Sequence, residues 1–233
     1  MMVNRDQQTN GSMPQRWVPP YHRFARLPQH LGTAIPAPFW YNHPDSEAIG
    51  ICSNIQEGAT CGLHAVNHLL AFARQPVILK QKDFEQVALD ANVRDNPSDL
   101  IEPGGSNYEF FVLNINLGQN GLACNPMTAE DIQGREDPFA NHTLPRGYLK
   151  PLGYLLRIPS HGGHWISLLP SELVGAKSPN AALLCDSLCP APFLLTTMET
   201  QALLQAFAID ASTSQNDHNP DFVCFLVGTT RSG

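Results

Sequence analysis

An α+β protein is predicted by two contrasting patterns and their order. Apolar residues recur at intervals of three and four through much of the first half of the chain, and short apolar runs bounded by Gly, Pro and Asn occupy the second half. Helices first and strands afterwards, with no internal repeat, point to helices packed against an antiparallel sheet rather than to alternating βαβ units.

In chain order, residues 1 to 47 come first. They hold seven prolines (14, 19, 20, 28, 36, 38 and 44) and no sustained periodicity, and read as an irregular arm. The aromatics Trp17, Tyr21, Phe39 and Trp40 are unusual for such a segment, and Ala37 to Tyr41 is a candidate to dock on the body. Its Arg-rich, acid-poor composition also fits an organelle transit segment, although the prolines oppose an amphipathic helix.

Leu63, Val66, Leu69, Leu70 and Ala73 predict a helix that opens near Thr60 or Cys61 and stops at Pro76. Lys82 to Asn92 predicts a second helix with Phe84, Val87, Ala88 and Ala91 on one face. After a polar break at Asp95 to Gly105, Ser106-Asn107-Tyr108-Glu109 has capping-box spacing. The helix it opens runs through Leu117, with Tyr108, Phe111, Val112 and Ile115 set for burial, and Gly118 to Gly121 ends it. Residues 128 to 147, rich in Gly, Pro, Asn and charge, read as an exposed loop.

Strands follow. Tyr148 to Ile158 and His164 to Leu169 flank the breaker Pro159 to Gly163 and predict a hairpin; Ala181 to Cys185 is a third strand. Thr196-Thr197-Met198-Glu199 is another capping box, opening a helix with Leu203, Leu204 and Phe207 inward. Phe222 to Val227 is a closing buried strand. One domain over residues 48 to 228, preceded by the arm and followed by a short tail at 229 to 233, suits a chain of 233 residues.

Composition narrows the function. With 14 Lys+Arg against 21 Asp+Glu the formal charge is −7, which argues against nucleic acid as a partner. Residues 1 to 44 carry +3, leaving −10 for the remainder. No apolar run reaches the roughly 18 to 20 residues of a membrane span. Six cysteines without a signal-like segment suit free thiols in a reducing compartment, cytoplasmic or nuclear.

The chemically placed cysteine is Cys61. It stands where the polar Gln56-Glu57-Gly58-Ala59-Thr60 turns into an apolar helix, so orphan N–H groups and the positive end of the macrodipole favour a thiolate nucleophile. A lone Cys at a helix start is, by itself, ordinarily a small buried apolar residue. A nucleophile needs a base, an orienting group and oxyanion donors. His164 opens a strand after Gly162-Gly163, with Trp165 beside it to exclude water, and is the candidate base. Asp186, at the end of a strand, is the candidate to hold the His164 tautomer. Gln56 supplies a side-chain amide to the oxyanion, with the Cys61 backbone N–H as second donor. Taken singly, a His-Trp pair in a strand and an Asp after one are commonly structural. His64 and His68 share the Cys61 helix and read as packing or surface residues. The spacings His161-x-x-His164 and Cys185-x-x-x-Cys189 lack a second pair at finger or ribbon spacing, so neither a metal nor a cofactor is expected.

The order Gln, Cys, His, Asp is that of papain-like cysteine hydrolases. Within them the chain resembles the Josephin family of deubiquitinating enzymes. Gln56-Glu57-Gly58-x-x-Cys61-x-x-His64-x-x-Asn67-x-Leu69-Leu70 resembles the family's nucleophile motif. Gly105-Ser106-Asn107-Tyr108, His164-Trp165, Asp186-Ser187-Leu188 and Phe222 to Gly228 are similar, in order, to its Gly-Asn-Tyr helix, catalytic His-Trp pair, Asn/Asp-Ser-Leu segment and last strand. The likeness covers about residues 48 to 228. It implies a papain-like fold, with a helical subdomain carrying Cys61 and a sheet subdomain carrying His164 and Asp186. It also implies ubiquitin, polyubiquitin or ubiquitinated proteins as partners, with residues 74 to 104 where the family extends a ubiquitin-embracing hairpin. The implied reaction is thiol hydrolysis of the bond after ubiquitin's carboxyl-terminal glycine through a thioester. The loops at 128 to 147 and 170 to 180, and the arm, depart from the shortest members. A ubiquitin-like modifier as substrate, or a ubiquitin-binding module with latent or lost catalysis, are the alternatives.

Overall fold

The computed structural model describes residues 15–18, 30–36, 60–75, 77–91, 110–144, 147–158, 164–174, 181–213 and 224–231, and these form a mixed α+β arrangement. Helix α1 spans Cys61–Phe72. Leu63, Val66, Leu69 and Leu70 are buried as their spacing requires, but so are Cys61, His64, Asn67 and His68. A helix buried on all sides needs partners for its polar side chains. Asn67 donates to Leu79 O at 2.9 Å and accepts from Leu79 N–H at 3.0 Å, clipping the approach to helix α2 (Gln81–Ala91) onto α1. His68 Nδ1 lies 3.0 Å from Ser167 Oγ.

Phe84, Val87 and Ala88 of α2 are buried on the expected face. Helix α3 (Phe110–Gln119) departs from expectation: it buries Val112, Leu113, Asn116 and Leu117, while Phe111 is 49 % exposed. Asn116 donates its amide to Val112 O at 2.9 Å, so a polar residue sits inward and the buried stripe lies about one residue further along. Gly62 lets α1 and α3 approach, since a Cβ there would stand 3.0 Å from Leu113 Cδ2 and 3.3 Å from Trp165 Cδ1.

The strands are β1 (Thr33–Ala34), β2 (Ala123–Pro126), β3 (His142–Leu144), β4 (Gly147–Ile158), β5 (His164–Pro170), β6 (Ala182–Cys185), β7 (Phe193–Leu195) and β8 (Cys224–Arg231). They form one antiparallel sheet in the order β1-β7-β6-β5-β4-β8-β2, with β3 beside β4. The expected hairpin of β4 and β5 is present, with Tyr154 opposite Leu168 and Ile158 opposite His164. Strands β1, β2 and β7 have two to four residues, too few to show alternation in sequence. Residues 128 to 147, expected as a loop, contain helix α4 (Ala129–Gln133) and β3. The cause of α4 is a capping box: Thr128 Oγ1 accepts from Asp131 N–H at 3.1 Å, and Asp131 Oδ2 accepts from Thr128 N–H at 2.9 Å.

Side chains alternate across the sheet and build two cores. Leu155, Trp165, Leu169, Leu183, Phe225 and Val227 pack with α1, α2 and α3. Leu156, Ile166, Leu168, Leu184 and Leu226 face the other way, with Leu203, Leu204 and Phe207 of helix α5 (Thr197–Thr213). Two segments of the arm join this second side. Trp17 and Leu31 exchange backbone hydrogen bonds of 2.8 and 3.0 Å, and Thr33 and Ala34 extend the sheet beyond β7. The expectations concerning Ala37 to Tyr41, Gln56, Pro76, Asp95 to Glu109 and Pro159 to Gly163 lie outside the described residues.

Candidate active site

Three elements converge on one imidazole. Cys61 is the first residue of α1, and no acidic side chain stands in that helix's first turn to oppose an anion. Thr60, at the N-cap, makes no side-chain cap, so the helix start is held by packing, including the fit of Gly62 against Trp165. His164 opens β5. Asp186 directly follows β6, whose Cys185 is opposite Ser167, and the antiparallel register thereby carries Asp186 to the end of β5 where His164 begins.

His164 Nε2 lies 2.8 Å from Asp186 Oδ1. The other ring nitrogen, Nδ1, is thereby left to the Cys61 thiol, with which the His164 side chain is also hydrogen bonded. Cys61, His164 and Asp186 are each 1 % exposed or less. Burial by itself would pull the His164 pKa down; hydrogen bonds and electrostatic interaction with Asp186 and Cys61 override it and raise the pKa to about 9. Burial would push Asp186 up, but the hydrogen bond and charge of His164, the Trp17 indole and the Leu188 N–H at 2.9 Å hold it below the usual carboxylate range. The imidazole is therefore the cation of a buried pair near neutral pH.

The sequence-based candidates divide clearly. Cys61, His164 and Asp186 come together; Gln56 lies outside the described residues. His64 and His68 are buried on α1, as packing residues. Burial and the neighbouring His64 lower the His68 pKa to about 3, against the opposite pull of Asp186, so His68 is a neutral hydrogen-bonding partner of Ser167. Trp165 is buried and walls the site with Phe110 and Phe225, and the Arg157 guanidinium lies 5.8 Å from its ring centroid. Among the described residues no group of three or more His, Cys, Asp or Glu is arranged to hold a metal ion.

One participant was missed. Trp17 Nε1 donates to Asp186 Oδ2 at 2.8 Å, from a position 169 residues away in sequence. The only signal for it was a tryptophan inside a proline-rich segment. A cavity of about 220 Å³ lies elsewhere, lined by Ile132, Arg135, Tyr154, Gln201 and Gln205, and includes no member of the triad. Compared with protein-family models and with curated proteins, the chain has no match. The chemistry on offer is a thiol at a helix start, a charged imidazole beside it and a buried carboxylate behind.

Proposed function

We propose that the chain is a thiol-dependent deubiquitinase of Josephin type, hydrolysing the isopeptide or peptide bond after the carboxyl-terminal glycine of ubiquitin. The observation that carries this reading is His164 held between the side chains of Cys61 and Asp186, the three residues coming from separate parts of the fold. The motif around Cys61 directs the choice of substrate. Helices α1, α2 and α3 on one face of an antiparallel sheet support a papain-like arrangement, with Cys61 on the helical part and His164 and Asp186 on the sheet.

In this reading the Cys61 thiolate attacks the glycine carbonyl carbon, and the negative charge moves to the oxygen. The Cys61 N–H and the Gln56 amide are the proposed donors to that oxygen; removing one such donor typically costs on the order of 3 kcal/mol in the barrier. His164 then gives its proton to the departing lysine amine as the C–N bond breaks, leaving a thioester. Neutral His164 next takes a proton from water, whose oxygen attacks the thioester, and the sulfur leaves as thiolate. Asp186 holds the ring tautomer throughout and balances the imidazolium. None of the five described cysteines forms a disulfide, which supports a reducing compartment, cytoplasmic or nuclear. No helix among the described residues is long and apolar enough to cross a membrane.

The test is incubation with ubiquitin bearing a carboxyl-terminal electrophile. An adduct that forms with the folded protein and disappears in Cys61→Ala is expected; a folded sample that forms none sinks the reading. The burial of Cys61 and His164 favours a second reading in which catalysis is latent until covering groups move. A saturating labelling rate that has the same limit for electrophiles of different reactivity would mark an opening step and so latency, whereas a rate proportional to probe concentration throughout would exclude it.

A further inference from the structure

We infer that Trp17 is a positioning residue for the triad: its indole N–H, donated to Oδ2 of Asp186, fixes the carboxylate so that Oδ1 faces His164. This rests on the reading of Cys61, His164 and Asp186 as a catalytic set, and gives the arm a part in that set.

The geometry is built rather than incidental. Trp17 is fully buried, in the apolar cluster with Leu31, Ile166, Leu184 and Phe193. A buried indole N–H needs an acceptor, and the one supplied here is a buried carboxylate oxygen 2.8 Å away, while Oδ1 of the same group receives His164 and the Leu188 N–H. A carboxylate with donors to both oxygens cannot rotate without losing one of them. The segment carrying Trp17 is itself fastened. Ala34 N–H donates to Gln15 O at 2.9 Å, Arg16 Nη2 meets Glu199 Oε1 at 2.5 Å, and Gly32 N–H donates to the same oxygen at 3.1 Å. Gly32 has φ +62°, and a Cβ there would stand 2.9 Å from Phe193 Cβ, so the turn suits glycine and little else. Among the described residues, the other titratable groups facing Asp186 are His164 on β5, His68 on α1 and Cys189 after β6.

The decisive variant is Trp17→Phe, which keeps an aromatic ring and removes the donor. With a ubiquitin reporter we expect kcat to fall about tenfold or more, as for loss of a hydrogen bond to a charged group, with KM nearly unchanged. The acid limb of the rate profile should move to higher pH, because the ionised carboxylate has lost a donor. In an Asp186→Ala background the same substitution should cost nothing further in kcat. An unmoved acid limb, or an equal loss in both backgrounds, overturns the inference and leaves Trp17 as packing.

Should Trp17→Phe fail to fold, the wild-type protein still decides. The Trp17 indole proton resonance should shift as pH crosses the His164 titration near 9, since the carboxylate then loses its cationic partner. A resonance indifferent to that titration overturns the inference. This measurement needs no ubiquitin. Failure of the electrophile to label Cys61 would remove the proposed activity, and the indole titration would still report on the clamp.

Discussion

At His164, burial and hydrogen bonding act in opposite directions, and under the proposed hydrolysis the winner sets its pH range. The contacts with Asp186 and Cys61 keep the ring protonated up to about pH 9. Attack requires the imidazolium as the later proton donor, so hydrolysis should hold across neutral pH and decline as pH rises through about 9. A rate profile with the ubiquitin reporter checks this; an alkaline decline centred near 6.5 would mean that the two contacts do not support the ring. His164→Ala should lose activity almost wholly and Asp186→Ala more mildly, because the first removes the proton carrier and the second only its orientation. Cys61, His164 and Asp186 were each legible in the sequence, from a helix start, a Gly-Gly turn and a strand end. Trp17 was not, because its role exists only through a contact that spans 169 residues.

Among the elements, α5 joins two parts of the molecule at one side chain. Glu199 completes its capping box, with Oε2 accepting from Thr196 N–H at 2.9 Å and from Thr196 Oγ1 at 3.0 Å, while Oε1 accepts from Gly32 and Arg16. Glu199→Ala therefore removes a helix cap and an anchor of the arm together. Cap loss alone is worth about 1 kcal/mol, and the surface ion pair adds little, so a loss of about 1 to 2 kcal/mol is expected in urea unfolding. The Thr196 box is readable from four residues, whereas the Thr128-x-x-Asp131 box lies inside residues 128 to 147, whose Gly, Pro and Asn content reads as a loop. Long helices and strands declared themselves by period, whereas β1, β2, β3 and β7 draw their pairing from neighbouring strands and leave no local trace.

For the whole molecule, two buried imidazoles impose opposite pH demands on stability. The His68 pKa falls to about 3 on folding, so its contribution is complete above the unfolded value near 6.5 and is lost as pH falls toward 3. That of His164 rises to about 9, so its contribution is complete below 6.5 and is lost as pH rises through 9. Asp186, held low, adds to the loss on the acid side. Stability measured by urea midpoints should therefore peak near pH 6.5 and fall on both sides. His68→Gln should flatten the acid side while leaving the alkaline side; an acid side equally steep in that variant would assign the effect to other groups.

The position of β8 has a consequence for how such a chain comes into being. The last of the described strands lies in the interior of the sheet, between β4 and β2, so those two cannot be bridged while residues 224–231 are still unsynthesised. Until then a growing chain leaves the long β4 with an unpaired edge, a surface that invites pairing with other chains. Emergence from the ribosome thus delivers α1 early and, of the described strands, the one that bridges β4 and β2 last, and the interval between them is when that edge stands open.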